Sequence, residues 1–308
     1  MNRLNVKSVL ITGASAGIGK EVARQLALKK NIETIYLGVR NPQKGTLAQR
    51  ELEAATHRSI FKLVKMNLTD LASVRAAVSA LPPIDALIMN AGGSGGRTPM
   101  ALTRDGVTHL MAQNVLGHAA LVEGLLQSGK LTQTAVFVGS EAARGVPKMQ
   151  IKRPSLASLV EFDRVIAGNA YVNEKLDVFS AYGEVKFIGA LWMASLARQY
   201  PDVRLLTISP GGTKGTEAAN ALPTPMRLFY NYVFTPIIAP MLGLVHSLET
   251  GSKRIADGLT DESLKSGHFY ASAANVLVGP MVDQTTIFAD LGNTAIQDNA
   301  SKALHRYL

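Results

Sequence analysis

The chain contains no cysteine. Disulfides, thiolate catalysis and cysteine-ligated metals are therefore excluded together. Its six histidines show no HExxH or comparable ligand spacing. Each is expected at a surface or helix end, and no metal site is expected. No run of five or more basic residues occurs, although the formal charge is +9. The cations are scattered as singles and as pairs such as Lys29–Lys30 and Lys152–Arg153, so no nucleic-acid partner is expected. No low-complexity block, internal repeat or Gly/Ser linker divides the chain. No signal-peptide pattern precedes the first apolar run, which reads as a cytoplasmic protein. What is present is a composition 47% hydrophobic and 18% charged over 308 residues, enough for one generous core. A single domain over 1–308 is the economical reading.

Short apolar or β-branched runs alternate with longer helical patterns, the signature of parallel βαβ units. Strands are predicted at 8–11, 34–37, 61–65, 86–89, 134–138, 203–208 and 267–271. Helices are predicted at 17–29, 43–54, 70–80, 103–126 and 181–199. Several strands are apolar throughout, as expected where both faces are covered. The fold class is α/β, doubly wound, with a mostly parallel seven-stranded sheet. Two stretches exceed that plan: an insert at 145–178, before the helix carrying Tyr182, and a region at 217–250 after the sixth strand. Ligands of open α/β sheets sit at the carboxyl ends of the strands. Both stretches leave from those ends and are candidates for shaping a substrate pocket.

Between the first strand and first helix lies Val9-Leu10-Ile11-Thr12-Gly13-Ala14-Ser15-Ala16-Gly17-Ile18-Gly19-Lys20. Gly13 lets the chain turn, Gly17 lets backbone approach a ligand, and Gly19 lets helix and strand pack closely. The helix then aims its N–H groups and positive dipole end at a pyrophosphate. A glycine triplet alone also occurs in ordinary turns; here the flanking strand and helix favour a nucleotide cofactor. The spacing Gly-x-x-x-Gly-x-Gly resembles the loop of the short-chain dehydrogenase/reductase family, Thr-Gly-x-x-x-Gly-x-Gly. The resemblance continues to about residue 216 and implies a Rossmann-type fold. It also implies cofactor contacts from Thr12, Gly13, Ser15, Gly17, Ile18 and Gly19.

The second strand ends Tyr36-Leu37-Gly38-Val39-Arg40-Asn41. An NAD enzyme usually places a carboxylate here for the ribose 2′-hydroxyl. This chain has Val39 and then Arg40, whose planar fork can pair with phosphate oxygens, with Lys44 close by. NADP(H) is accordingly expected over NAD(H). Asn67-Leu68 stands where the family has Asp-Leu near the adenine ring, and Asn90-Ala91-Gly92 is similar to the family's Asn-Ala-Gly.

Two Tyr-x-x-x-Lys matches occur, Tyr171…Lys175 and Tyr182…Lys186. Spacing of four puts both side chains on one helix face. Tyr182 opens a long apolar helix with Phe187, Ile188, Leu191, Trp192, Met193 and Leu196, whereas Tyr171 lies in a polar stretch of the insert. Tyr182 and Lys186 are therefore the candidates. An ammonium nearby favours the phenolate of a tyrosine. The resemblance implies that Lys186 supplies this effect and holds the nicotinamide ribose, while Tyr182 exchanges a proton with the reacting oxygen. It likewise implies that Ser140 bonds that oxygen, that Asn114 holds a water linking Lys186 to solvent, and that Pro210, Gly211 and Thr213 touch the cofactor. Glu141, directly after Ser140, departs from the family pattern, and its orientation is open. Thr213 and Thr216 both offer the family's threonine, neither at the usual offset.

Residues 222–248 are rich in aromatic and aliphatic groups, with Arg227 the one formal charge. Pro223, Pro225, Pro236 and Pro240 interrupt the run, which argues against a membrane-spanning helix. The segment reads as a lid over an apolar substrate, a homo-oligomer surface, or a patch for peripheral membrane contact; the lid is preferred. The run from Asn114-Val115-Leu116-Gly117-His118 to the insert looks most like the retinol-dehydrogenase and protochlorophyllide-reductase branches. The expected activity is interconversion of a carbonyl and an alcohol on an apolar small molecule. The alternatives are reduction of a C=C bond, as in protochlorophyllide reductases, and a non-catalytic NADP(H)-binding sensor or scaffold.

Overall fold

Val9, Leu10 and Ile11 are fully buried, as the residues of a strand covered on both faces must be. They form the centre of β1 (Ser8–Thr12), followed by β2 (Thr34–Val39), β3 (Phe61–Lys65), β4 (Ile84–Met89), β5 (Leu131–Val138), β6 (Arg204–Ile208), β7 (Phe269–Ser272) and β8 (Met281–Asp283). The computed structural model describes residues 4–172, 177–214 and 244–308. One sheet results, in the order β3-β2-β1-β4-β5-β6-β7-β8. β1 to β7 are parallel, and β8 is antiparallel to β7. The direction of winding reverses between β1 and β4, which makes a crevice at their carboxyl ends.

The helices are α1 (Gly17–Ala27), α2 (Pro42–Thr56), α3 (Leu71–Ala80), α4, α5 (Leu159–Ile166), α6 (Val178–Gln199), α7 (Leu248–Gly258) and α8 (Thr294–His305). Helix α4 comprises His109–Met111, a π turn at Ala112–Leu116, and Gly117–Gln127. Helices α1, α2 and α7 cover one face of the sheet through Val22, Leu26, Leu52 and Ile255. Helices α3, α4 and α6 cover the other through Val74, Leu121, Phe187 and Trp192, with α5 and α8 packed outside α6. Fully buried side chains the size of Phe187 or Leu26 each contribute roughly 1.5–3 kcal/mol from area removed from water.

Among the described residues the sheet has eight strands where seven are predicted. β8 escapes a sequence reading because it is only three residues long and half-buried, with no alternation to detect. The predicted helix at 103–126 begins later, at His109, because Thr108 is its N-cap and accepts from Met111 N–H at 3.1 Å. Helices α5, α7 and α8 are not among those predicted. Helix α5 lies within the insert and starts at a capping box made by Ser158 and Glu161. It buries Phe162, Val165 and Ile166 in the core, so this half of the insert is scaffold. Of the 217–250 region, residues up to 243 lie outside the described residues, as do Lys175 and Thr216. The described end pairs with the loop after β6 at His246, which bridges Thr213. Among the described residues, no helix is long and apolar enough to cross a membrane.

Candidate active site

Asp177 caps α6 by accepting from Phe179 N–H at 3.0 Å, which sets the helix phase two turns ahead of Lys186. Lys186 is 2% exposed and donates to the Val138 carbonyl at 2.9 Å, at the end of β5. Its Nζ lies 4.9 Å from the Phe137 ring centroid and 5.6 Å from that of Tyr182. Burial pushes Lys186 down to about 7. Tyr182 is half-buried beside the apolar group Ala142, Val146, Ile151 and Leu277, with Leu244 at its edge. Gly183 permits this approach, since a Cβ there would stand 2.7 Å from the Ala142 carbonyl oxygen.

Ser140 lies beside Tyr182 and favours its phenolate, but burial prevails and, with the charge of Glu141, pushes Tyr182 up to about 12. The expected lowering by Lys186 is not what governs this arrangement. Lys186, itself pushed toward its neutral form by burial, is not among the groups that shift Tyr182. Tyr182 therefore keeps its proton throughout the neutral range.

Asn114 is fully buried on the π turn of α4. Its Nδ2 donates to the carbonyls of Gly93 and Leu110, both at 2.8 Å, and its Oδ1 accepts from Gly93 N–H at 3.1 Å. Both side-chain protons are thus committed to backbone. A Cβ on Gly92 would stand 2.5 Å from Asn114 Oδ1 and 3.5 Å from Lys186 Nζ, so Gly92 fills the gap between the two side chains. His118, expected at a surface or helix end, is instead fully buried one turn after Asn114. The rival Tyr171 lies on a short 3-10 turn, and its hydroxyl donates to Glu184, the neighbour of Gly183 on α6. Burial and then the Glu184 charge raise it above the ordinary tyrosine range.

The orientation of Glu141 is settled by its partners. Ser140 caps a 3-10 turn at Glu141–Arg144, which ends the strand alternation and turns Glu141 across the sheet. The carboxylate is 4% exposed, accepts from the Ser209 hydroxyl and from Ser272 N–H at 3.1 Å, and lies 3.8 Å from Arg254. It pins together the carboxyl ends of β5, β6 and β7. Pro210 and Gly211 follow at once. Thr213 Oγ1 donates within this loop to the Pro210 and Gly211 carbonyls, while His246 Nε2 lies 2.6 Å from the Pro210 carbonyl oxygen. Nothing in the sequence pointed to His246 or Arg254.

At the glycine loop, a Cβ on Gly19 would stand 2.4 Å from Asn90 Nδ2 and 2.6 Å from the Gly13 carbonyl oxygen, so only hydrogen fits. Gly17 has φ +54° and open space in front of it. The N-cap of α1 is Ala16, with no side-chain capping bond and no acid in the first turn. Its leading N–H groups thus have no side-chain cap and carry the positive dipole end, an arrangement that fits a phosphate. Thr12 is buried, and its hydroxyl is used internally by Asn90, Ala91 and His118. Arg40 and Lys44 are exposed at the end of β2 and in the first turn of α2. Asn67 closes a local turn by accepting from Thr69, and Leu68 is buried against Gly117.

Residues 7–151 match a family described as short chain dehydrogenase. The chain is similar to the short chain dehydrogenase yanD of Aspergillus niger, 29% identical over 84% of each chain. It is also similar to retinol dehydrogenase 11 of Mus musculus, 30% identical over 85% of this chain and 77% of that one. Among solved structures, L-sorbose reductase from Gluconobacter frateurii, complexed with NADPH and L-sorbose, shares the fold with a TM-score of 0.65. That likeness is at 17% identity and covers 90% of this chain and 98% of that one.

Proposed function

Because the chain belongs to the short-chain dehydrogenase/reductase family, we propose that it is an NADP(H)-dependent oxidoreductase interconverting a carbonyl and an alcohol on an apolar small molecule. The observation that carries this reading is the contact set Ser140–Tyr182–Lys186, gathered at the carboxyl ends of β4 and β5 beside the open glycine loop. The bound nicotinamide would supply or accept the two electrons of the reaction as hydride. Tyr182 would protonate the carbonyl oxygen as it becomes an alkoxide, and its retained proton suits the reductive direction. Ser140 would share that oxygen through its hydroxyl. Lys186 would hold the ribose hydroxyls and return a proton to Tyr182, a task suited to a group near its own midpoint at neutral pH. Gly17 and the first turn of α1 would take the pyrophosphate, and Arg40 the 2′-phosphate.

Ala142, Val146, Ile151, Leu277 and Leu244 around Tyr182 favour an apolar substrate, since they offer it no hydrogen bond. The test is NADPH consumption with a panel of apolar aldehydes and ketones. Tyr182→Phe should abolish turnover and leave NADPH binding intact. A Tyr182→Phe rate equal to that of the unaltered chain would overturn the assignment.

A further inference from the structure

Thr12 Oγ1 accepts two backbone N–H groups, from Asn90 and Ala91, each at 2.9 Å. Both its lone pairs are then used, and only its proton is left to place. That proton has two acceptors in reach, the Ile88 carbonyl at 3.5 Å and His118 Nε2 at 2.9 Å. The shorter contact is the hydrogen bond. His118 Nε2 must therefore be bare, which leaves the ring proton on Nδ1. That atom lies 3.1 Å from the Asn114 carbonyl oxygen, a group that can only accept. One tautomer satisfies every partner.

The ring is fully buried, edge-on to Phe137 with centroids 6.1 Å apart. The charged group acting on it is Lys186, which repels a second proton. Burial and that charge hold His118 down to about 3, so it is neutral at any working pH.

The two ends of this bridge grip the same strip of backbone. Thr12 holds the N–H groups of Asn90 and Ala91; Asn114 holds both sides of Gly93 and lies against Gly92, next to Lys186 Nζ. We infer that His118 is a positioning residue: its imidazole joins Thr12 of the glycine loop to the Asn114 turn and thereby fixes the 90–93 strip relative to Lys186. The consequence for catalysis rests on the oxidoreductase reading above, whereas the bridge itself does not.

The experiment uses the full chain. With 15N-histidine labelling, His118 should show a protonated Nδ1 and a bare Nε2 that do not titrate between about pH 5.5 and 8.5. A protonated Nε2, or titration in that range, overturns the inference without any variant. In amide exchange, Ala91 and Gly93 should both exchange at least about tenfold faster in His118→Phe, and within about threefold of the parent in His118→Gln, whose amide offers both an N–H donor and a carbonyl acceptor. Unchanged protection of Gly93 in His118→Phe also overturns it. With NADPH and nonanal as the probe, kcat should fall about tenfold or more in His118→Phe at nearly constant KM, and return in His118→Gln. No turnover by the parent chain would count against the oxidoreductase reading alone, because the imidazole spectrum and the exchange rates do not depend on it.

Discussion

The Ser209 hydroxyl donates to Glu141 Oε2 at 2.5 Å, which ties the end of β6 to the residue that follows Ser140. The same carboxylate faces Arg254 at 3.8 Å, with both side chains nearly out of contact with solvent. Removing one partner of a buried pair strands the other, at a cost of about 3–5 kcal/mol. Glu141→Ala should lose stability on that scale in denaturant unfolding. Glu141→Gln should lose less, since an amide oxygen can still accept from Ser209. A negative charge raises a tyrosine pKa, and Glu141 does so for Tyr182. Neutralising it in Glu141→Gln should therefore move the alkaline limb of reductive kcat/KM toward lower pH. A limb that stays put or moves upward would show that Glu141 does not act on Tyr182.

Arg40 is exposed at the carboxyl end of β2, where Val39 is buried and no acid is present. A guanidinium paired with a 2′-phosphate contributes a charge-assisted contact worth roughly 1.5–3 kcal/mol. Arg40→Ala should accordingly weaken NADPH binding by about ten- to a hundredfold and leave NADH binding unchanged. Fluorescence titration with both cofactors separates the cases. An equal loss for NADH would place Arg40 away from the 2′-phosphate.

The glycine loop and the Tyr182–Lys186 pair could be read from the chain because their information is local: fixed spacings, flanked by strand and helix periodicity. The seven parallel strands could be read for the same reason, since Val9 to Ile11 or Ala135 to Val138 are apolar without interruption. Glu141 could not, because strand alternation stops at Ser140, where the 3-10 turn begins. His118 was misplaced for a different reason. Whether a helical histidine faces solvent or the core depends on Thr12 and Phe137, which are distant in sequence and meet it only once β1, β5 and α4 have packed. Helices α7 and α8 bury polar residues such as Ser252, Arg254, Gln297 and Ser301 and hold few large apolar ones, so little hydrophobic signal marks them in the chain.

Gly189 on α6 lies over the Phe137 ring, where an added Cβ would stand 2.5 Å from two ring carbons. Phe137 cannot yield easily: Trp192 and His118 pack edge-on to it, each with centroids 6.1 Å away. Gly189→Ala trades a small gain in helix propensity for overpacking, which typically costs about 1–3 kcal/mol. Thermal unfolding should show a net loss. Because Phe137 also backs Lys186, turnover should fall more than stability alone explains; a variant with parental melting temperature and rate would show that the ring can move aside.

Burial of Lys186 makes its contribution to stability depend on pH. Its folded pKa is about 7, against 10.5 for the free side chain. Between those values the unfolded chain binds the proton that the folded chain has released, so stability rises with pH across this window. Below about 7 both states are protonated, and the full cost of burying the ammonium is present. Lys186→Met removes the charge with little change in volume. It also forfeits the bond to the Val138 carbonyl, worth about 1 kcal/mol. The net expectation is a variant without turnover that is about 2–4 kcal/mol more stable than the parent at pH 7, with the advantage fading by about pH 10. Urea unfolding of both proteins at the two pH values measures it. A stability difference that does not change with pH would mean that Lys186 is not held near neutrality by burial.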